Sequence, residues 1–245
     1  PSRPPPRALA VLWLNQAGER FTNGALGAGV ATDRQGRSQA SMGISPADVD
    51  RDDDLDLFIT NLKTEYNTLY TNLGQGLFED RTADQPLGRI TLPYTSFGTC
   101  ALDLQSDGWP DLATANGAVI FEQDQVKAGD DYPLKQANQL LLNQGDGIFV
   151  DAKDQAGPAF TAPNVGRGLA CGDLDNDGDT DLVIARNDGP PLVLLNRAAD
   201  GVPWLGLRLL DADGKRDQTG ATVRLMDRPG RSLLHTDGSY ASAHD

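Results

Sequence analysis

The stretch Gly168-Leu-Ala-Cys-Gly-Asp173-Leu-Asp175-Asn-Asp177-Gly178-Asp179-Thr-Asp181-Leu182 decides how the rest of the chain is read. It places carboxylates at alternate positions of a short loop and a glycine where the chain must turn. The same skeleton stands at Gly43-Ile-Ser-Pro-Ala-Asp48-Val-Asp50-Arg-Asp52-Asp53-Asp54-Leu-Asp56-Leu57. It recurs at Gly98-Thr-Cys-Ala-Leu-Asp103-Leu-Gln105-Ser-Asp107-Gly108-Trp109-Pro-Asp111-Leu112. In each copy a glycine lies five residues before the first Asp and a leucine closes the loop.

A second motif recurs between the loops: an Asn followed six residues later by Phe, with glycine between them, at Asn15 to Phe21, Asn72 to Phe78 and Asn143 to Phe149. Each Asn ends a short apolar run, at 11–14, 68–71 and 139–142, and the run 192–195 before Asn196 is a fourth. Short runs bounded by Gly, Asn and Asp read as strands. The unit is therefore strand, acidic loop, strand, connection, strand, glycine turn, strand. The distance from first Asp to Asn is similar in the first and third units; the second carries extra residues at 117–137, a polar loop with Gln123, Asp124, Lys127, Asp130 and Asp131.

Four strands per unit is the sequence signature of a propeller blade, which buries its faces by stacking on its neighbours. The fold expected is all-β: a partial β-propeller of four-stranded blades over residues 1–202, followed by a small, truncated β domain at 203–245. Asn15 to Phe21 is the trailing half of a unit, so the count is about three blades and a fragment. The chain begins and ends in mid-pattern and reads as a piece of a longer protein, with further blades and any secretion signal before Pro1. In the second domain, 204–210 and 219–225 alternate like strands about a turn at 211–214.

Composition narrows the function. The 245 residues carry 35 Asp and Glu against 21 Lys and Arg, a formal charge of -14. Such a surface repels phosphate backbones and anionic lipid, which excludes nucleic acid as a partner class. The apolar run 8–14 is far shorter than a membrane span, so no membrane insertion is expected. The 27 Gly and 15 Pro are spread along the chain, as many turns require.

Hard divalent cations take several oxygens at about 2.3–2.6 Å, and carboxylates at alternate loop positions aim oxygens at one point. Counting the first Asp as position 1, the third loop supplies Asp173, Asp175, Asp177 and Asp181 at 1, 3, 5 and 9, with the Asp179 carbonyl at 7. The first supplies Asp48, Asp50, Asp52 and Asp56, with the Asp54 carbonyl at 7 and Asp53 at the turn. The second supplies Asp103, Gln105, Asp107 and Asp111, with the Trp109 carbonyl at 7, and is a weaker site because Gln105 removes one charge. Calcium is the expected ion. Position 12 holds Ile59, Thr114 or Ile184, not the Glu of a helix-loop-helix site, so the loops join strands and stabilise without switching. A single Asp-rich turn is no more than a solvated turn. Three in register, each crowding like charges, are not explained that way.

These residues resemble FG-GAP or VCBS repeats of integrin-like β-propellers. Met42 through Phe58, Gly166 through Leu182, Trp204-Leu-Gly-Leu-Arg-Leu, Gly220-Ala-Thr-Val and Gly238-Ser-Tyr-Ala-Ser together resemble the bacterial cartilage acidic protein-like family, in which an ASPIC/UnbV domain follows a propeller. The resemblance implies a secreted, surface-exposed or periplasmic, calcium-binding, non-enzymatic protein with the Asp positions above as ligands. It leaves the protein or glycan partner open.

The leading reading is an extracellular scaffold for protein or cell-surface adhesion; the alternative is a carbohydrate-binding module of an exported polysaccharide-acting enzyme, with Trp13, Trp109 and Trp204 as candidate stacking faces. His235 and His244, the only histidines, lie in no catalytic or zinc motif and are expected to be ordinary surface groups. Cys100 and Cys171 stand three and two residues before their first Asp, which places them on opposite strand faces. Free, buried thiols are expected there, without a disulfide. No Asn-x-Ser/Thr acceptor occurs.

Overall fold

The computed structural model describes residues 9–130, 133–198, 201–204, 207–214, 222–228 and 231–237. Among them the architecture is antiparallel sheet throughout, joined by single-turn helices. A hairpin of β1 (Trp13–Gln16) and β2 (Arg20–Asn23) opens the chain. Sheet one is β3 (Gly43–Ala47), β4 (Asp56–Thr60), β5 (Thr68–Asn72) and β6 (Phe78–Asp80), in that order. Sheet two repeats it with β7 (Ser96–Leu102), β8 (Asp111–Asn116), β9 (Gln139–Asn143) and β10 (Phe149–Asp151). Sheet three has β11 (Gly166–Gly172), β12 (Asp181–Arg186) and β13 (Leu192–Leu194), and β14 (Thr222–Arg228) pairs with β15 (Arg231–Asp237).

The Asn-to-Phe motif is a register rule. Asn15 faces Phe21, Asn72 faces Phe78 and Asn143 faces Phe149 across their hairpins. The glycines between supply positive φ, with Gly145 at 102° and Gly147 at 69°.

Apolar side chains alternate between two stacked interfaces, as a period of two demands. In β9, Leu141 joins Phe58 and Leu69 of sheet one, with Leu112 and Phe149, in a buried cluster. Leu140 and Leu142 point the other way and join Cys100, Leu102 and Ala113 against Leu182 of sheet three. A third cluster packs Ile59 and Tyr70 of sheet one on Ala25, Ala28, Val30 and Ala31. The core is thus a series of layers between sheets, the stacking expected of propeller blades. The first strands β3, β7 and β11 lie side by side. A methyl group on Gly98 would run into the backbone of Gly168 and Leu169, and one on Gly43 into the Phe97 carbonyl. The glycine five residues before the first and second loops is there because two backbones meet.

Three expectations change. The loop 117–137 contains a helical turn, Gln123–Lys127. Gln125 fastens it, since its side chain accepts from Lys135 N–H and donates to the Lys135 carbonyl. No strand is assigned to the described residues of 204–209; Trp204 instead packs where a side chain on Gly178 would be, and β14 pairs with β15. The turn at 211–214 forms, with Gly214 N–H donating to the Asp211 carbonyl. Pro1–Arg7, Asp131, Leu205, Gly206, Thr219–Ala221, Gly238–Ser242 and His244 lie outside the described residues.

The cysteines are the third correction: Cys100 and Cys171 are joined in a disulfide, with Cα atoms 6.3 Å apart, Cys100 buried and Cys171 exposed. The placement on opposite faces was sound, but the sheets stack. The forward face of one sheet meets the backward face of the next, so opposite faces of equivalent strands are the ones that touch.

The bridge closes a sequence separation of 71 residues. Chain-entropy arguments put its contribution at about 4 kcal/mol. Reducing the chain, or replacing both cysteines by serine, is expected to lower the melting temperature substantially. Peptide mapping without reductant checks the pairing, and an unchanged melt after verified reduction would count against it.

Candidate metal sites

Each acidic loop joins the first two strands of its sheet, and the three share one wiring. The position 9 carboxylates of Asp56, Asp111 and Asp181 are only 1%, 2% and 1% exposed, which makes their hydrogen bonds obligatory. One oxygen of each accepts from the position 2 N–H: Val49 at 3.0 Å, Leu104 at 3.1 Å and Leu174 at 2.8 Å. The other accepts from the backbone N–H of Asn72, Asn143 or Asn196, each at 2.8 Å. The two sequence motifs are therefore one structural unit, with the Asp loop hung on the Asn that starts the hairpin turn.

The Asn side chain extends the tie. Its Oδ1 accepts from the N–H two residues on, at Gly74, Gly145 and Ala198. Asn143 Nδ2 donates to the Pro110 carbonyl of its own loop and, at 2.8 Å, to the Val49 carbonyl of the preceding loop. Asn196 Nδ2 reaches back to the Leu104 carbonyl at 3.0 Å. Residue-by-residue reading missed these asparagines as parts of the site; their constant pairing with a position 9 Asp is the signal that carries them.

Within the loops, position 1 accepts from the turn. Asp48 takes Asp52 and Asp53 N–H, Asp103 takes Asp107 and Gly108 N–H, and Asp173 Oδ2 takes Gly178 N–H. Position 5 accepts from position 7, in Asp52 from Asp54, Asp107 from Trp109 and Asp177 from Asp179. The turn residue is left-handed in all three: Asp53 at φ 72°, Gly108 at 84° and Gly178 at 93°. Asp53 thus fills a glycine position, as Asp can.

Two sets of carboxylates converge. Asp48, Asp50 and Asp56 offer oxygens within 4.8 Å of one another, and so do Asp173, Asp175 and Asp177. Among the described residues the second loop forms no such group. In the converging loops Asp50 Oδ1 and Asp173 Oδ1 are buried and accept no hydrogen bond. A buried carboxylate oxygen without a donor is costly unless a cation meets it. Asp54 and Asp179 stand at position 7, where the expected ligand is a carbonyl. Gln105 is exposed, Trp109 is half-buried, and Asp52 and Asp181 lie outside the two converging sets.

Electrostatics follow the packing. Burial pushes Asp56 and Asp111 up to about 7 against the hydrogen bonds that lower them, with nearby loop carboxylates adding to the rise. Asp48 is raised by burial and then by Asp52, and Asp50 by burial and then by Asp52 and Asp48. Asp175 is raised by burial and by Asp177. Arg197 lies 3.7 Å from Asp175 and 3.3 Å from Asp177, beside the third loop.

Comparison with known proteins agrees with this reading of the repeats. A family model described as FG-GAP-like repeat matches residues 48–114 and 126–184, about half of the chain. Cartilage acidic protein 1 of Mus musculus is 34% identical over 87 residues, covering 36% of this chain and 13% of that protein. The Homo sapiens protein of that name is 39% identical over 64 residues, covering 26% and 10%. The chain thus spans about a tenth of the curated relatives it matches. A solved structure titled "Structural basis of specific recognition of non-reducing terminal N-acetylglucosamine by an Agrocybe aegerita lection" aligns over 63% of this chain and 52% of its own at 18% identity, with a TM-score of 0.24. That likeness carries no argument.

Two outcomes follow. Asn143→Ala removes a donor from two carbonyls at the junction of sheets one and two, and is expected to cost about 1–3 kcal/mol in a denaturant melt. Asp56 and Asp111 bind protons more tightly folded than unfolded, so between about pH 4 and pH 7 the folded chain holds more protons. Stability in chelator should therefore fall as pH rises across that window. A melting temperature that is flat or rising from pH 5 to pH 7 in EDTA would refute it.

Proposed function

Because the chain belongs to the FG-GAP-like repeat family, we propose that it is a calcium-stabilised, extracellular β-propeller scaffold that presents surfaces to a protein or cell-surface partner and carries no catalysis of its own. The observation that carries the calcium assignment is the pair of donorless buried oxygens, Asp50 Oδ1 and Asp173 Oδ1, each inside a convergent set of carboxylates. Their all-oxygen donors in an irregular loop suit calcium, which accepts varied geometry, better than magnesium, which demands a tighter octahedron. Bound there, the ion would neutralise the loop and fix the turn between two strands. Asp48, Asp50 and Asp56 would hold one ion, Asp173, Asp175 and Asp177 another.

The compartment follows from the same chemistry. Extracellular calcium modules bind at about 10⁻⁴ to 10⁻³ M, a range met outside cells and not in cytosol. The Cys100–Cys171 bridge agrees, since disulfides persist in oxidising compartments. Among the described residues no helix is long and apolar enough to cross a membrane. For the glycan alternative, one face of Trp109 is occupied by the Arg51 guanidinium, 4.3 Å from the ring centroid, which leaves less of the indole for a sugar.

Thermal unfolding across a calcium titration, with magnesium and EDTA as controls, tests the reading. The melting temperature should climb with calcium well above its value in magnesium, by linkage to binding of the folded state. Asp175→Ala should lower it by several degrees in calcium and leave it unchanged in EDTA. Identical curves in calcium and EDTA would remove the metal from the account.

A further inference from the structure

The middle loop is held differently from its neighbours. Arg51, at position 4 of the first loop, crosses from sheet one to sheet two. Its Nε donates to the Gly108 carbonyl at 2.7 Å and its Nη2 to the Asp107 carbonyl at 3.3 Å. The guanidinium then lies 4.3 Å from the centroid of Trp109, the position 7 residue whose carbonyl was the expected ligand. A planar, permanently charged group that donates to two carbonyls and covers an indole face fixes the loop from outside.

The surroundings are shaped for that contact. Position 4 is left-handed in every loop, φ 61° at Arg51, 53° at Ser106 and 60° at Asn176, and two of the three use a small polar residue there. A long side chain adopts that backbone at a cost, so Arg51 stands there against local preference. Gly108 leaves the room: a methyl group there would strike the Arg51 guanidinium. Meanwhile the cation donors are depleted. The second loop has three carboxylates against six and five in its neighbours, and Gln105, at position 3 where the other loops carry Asp50 and Asp175, is exposed. Among the described residues no buried carboxylate oxygen of this loop lacks a partner, unlike Asp50 Oδ1 and Asp173 Oδ1 in the other two.

We propose that the middle loop is closed by the Arg51 guanidinium in place of a divalent cation, so that the chain takes two calcium ions and straps its first two sheets together with a fixed charge. This rests on the calcium reading of the outer loops. The strap itself needs no third ion, although its anchor, Arg51, stands in the first loop beside Asp50.

Calcium stoichiometry of the whole chain, by isothermal titration and by equilibrium dialysis, is the test. The wild type should bind two ions. Asp107→Asn should leave that number unchanged, while Asp50→Asn and Asp173→Asn should each remove one. Arg51→Asn with Gln105→Asp keeps a residue that tolerates the left-handed backbone, restores the missing carboxylate and should raise the number to three. Three ions in the wild type, loss of one on Asp107→Asn, or a folded double variant that still binds two would overturn the strap and leave the calcium reading standing. No binding at all would overturn both. If circular dichroism shows the double variant unfolded, the wild-type number and Asp107→Asn decide the matter.

Discussion

A buried aspartate bonded to two backbone amides is the constraint on which the rest of this structure depends. Asp56, Asp111 and Asp181 each tie the start of an acidic loop to the asparagine that opens the hairpin turn two strands later. The tie fixes three strand ends with one side chain. Without it the loop would be a long turn of like charges that repel one another. Because Asn143 and Asn196 also reach the preceding loop, the unit is not closed on itself. Each sheet is completed by its neighbour in polar contacts as well as in apolar ones, the property that makes repeat architectures cooperative along their length.

That coupling explains why the loops can differ chemically while the scaffold repeats. In all three, the carboxylates at positions 1, 5 and 9 accept backbone amides. What varies is the charge left over. In the first and third loops a position 3 carboxylate, Asp50 or Asp175, converges with two of the wired ones, and one buried oxygen, Asp50 Oδ1 or Asp173 Oδ1, has no donor. In the second, a guanidinium from the neighbouring loop reaches two carbonyls and the Trp109 face. Trp204 plays a comparable packing part at the third loop, over the space left by Gly178. The acidic edge is thus a row of similar frames with different fillings.

Much of this was legible in the chain before any coordinates. Alternate carboxylates, a turn glycine and flanking apolar runs predicted strand-loop-strand units, and the observed strands begin or end within a few residues of the expected runs. The six-residue Asn-to-Phe spacing is a hairpin register and needed nothing beyond local geometry. Among the described residues of 204–210 only Leu210 is bridged, because alternation says that a segment could pair and not that a partner is at hand.

The sequence by itself determined the repeat, the all-β class, the acidic surface and the loop positions able to supply oxygens, since each depends on composition or on local spacing that recurs along the chain. Only the tertiary structure decided what crosses between sheets: the Cys100–Cys171 bridge, the asparagine ties, the Arg51 contact, and which carboxylates share a point. The physical reason is one of direction. Period-two alternation gives the face on which a side chain stands, but in stacked sheets the partner of that face belongs to the next unit, and its identity depends on how the two backbones approach.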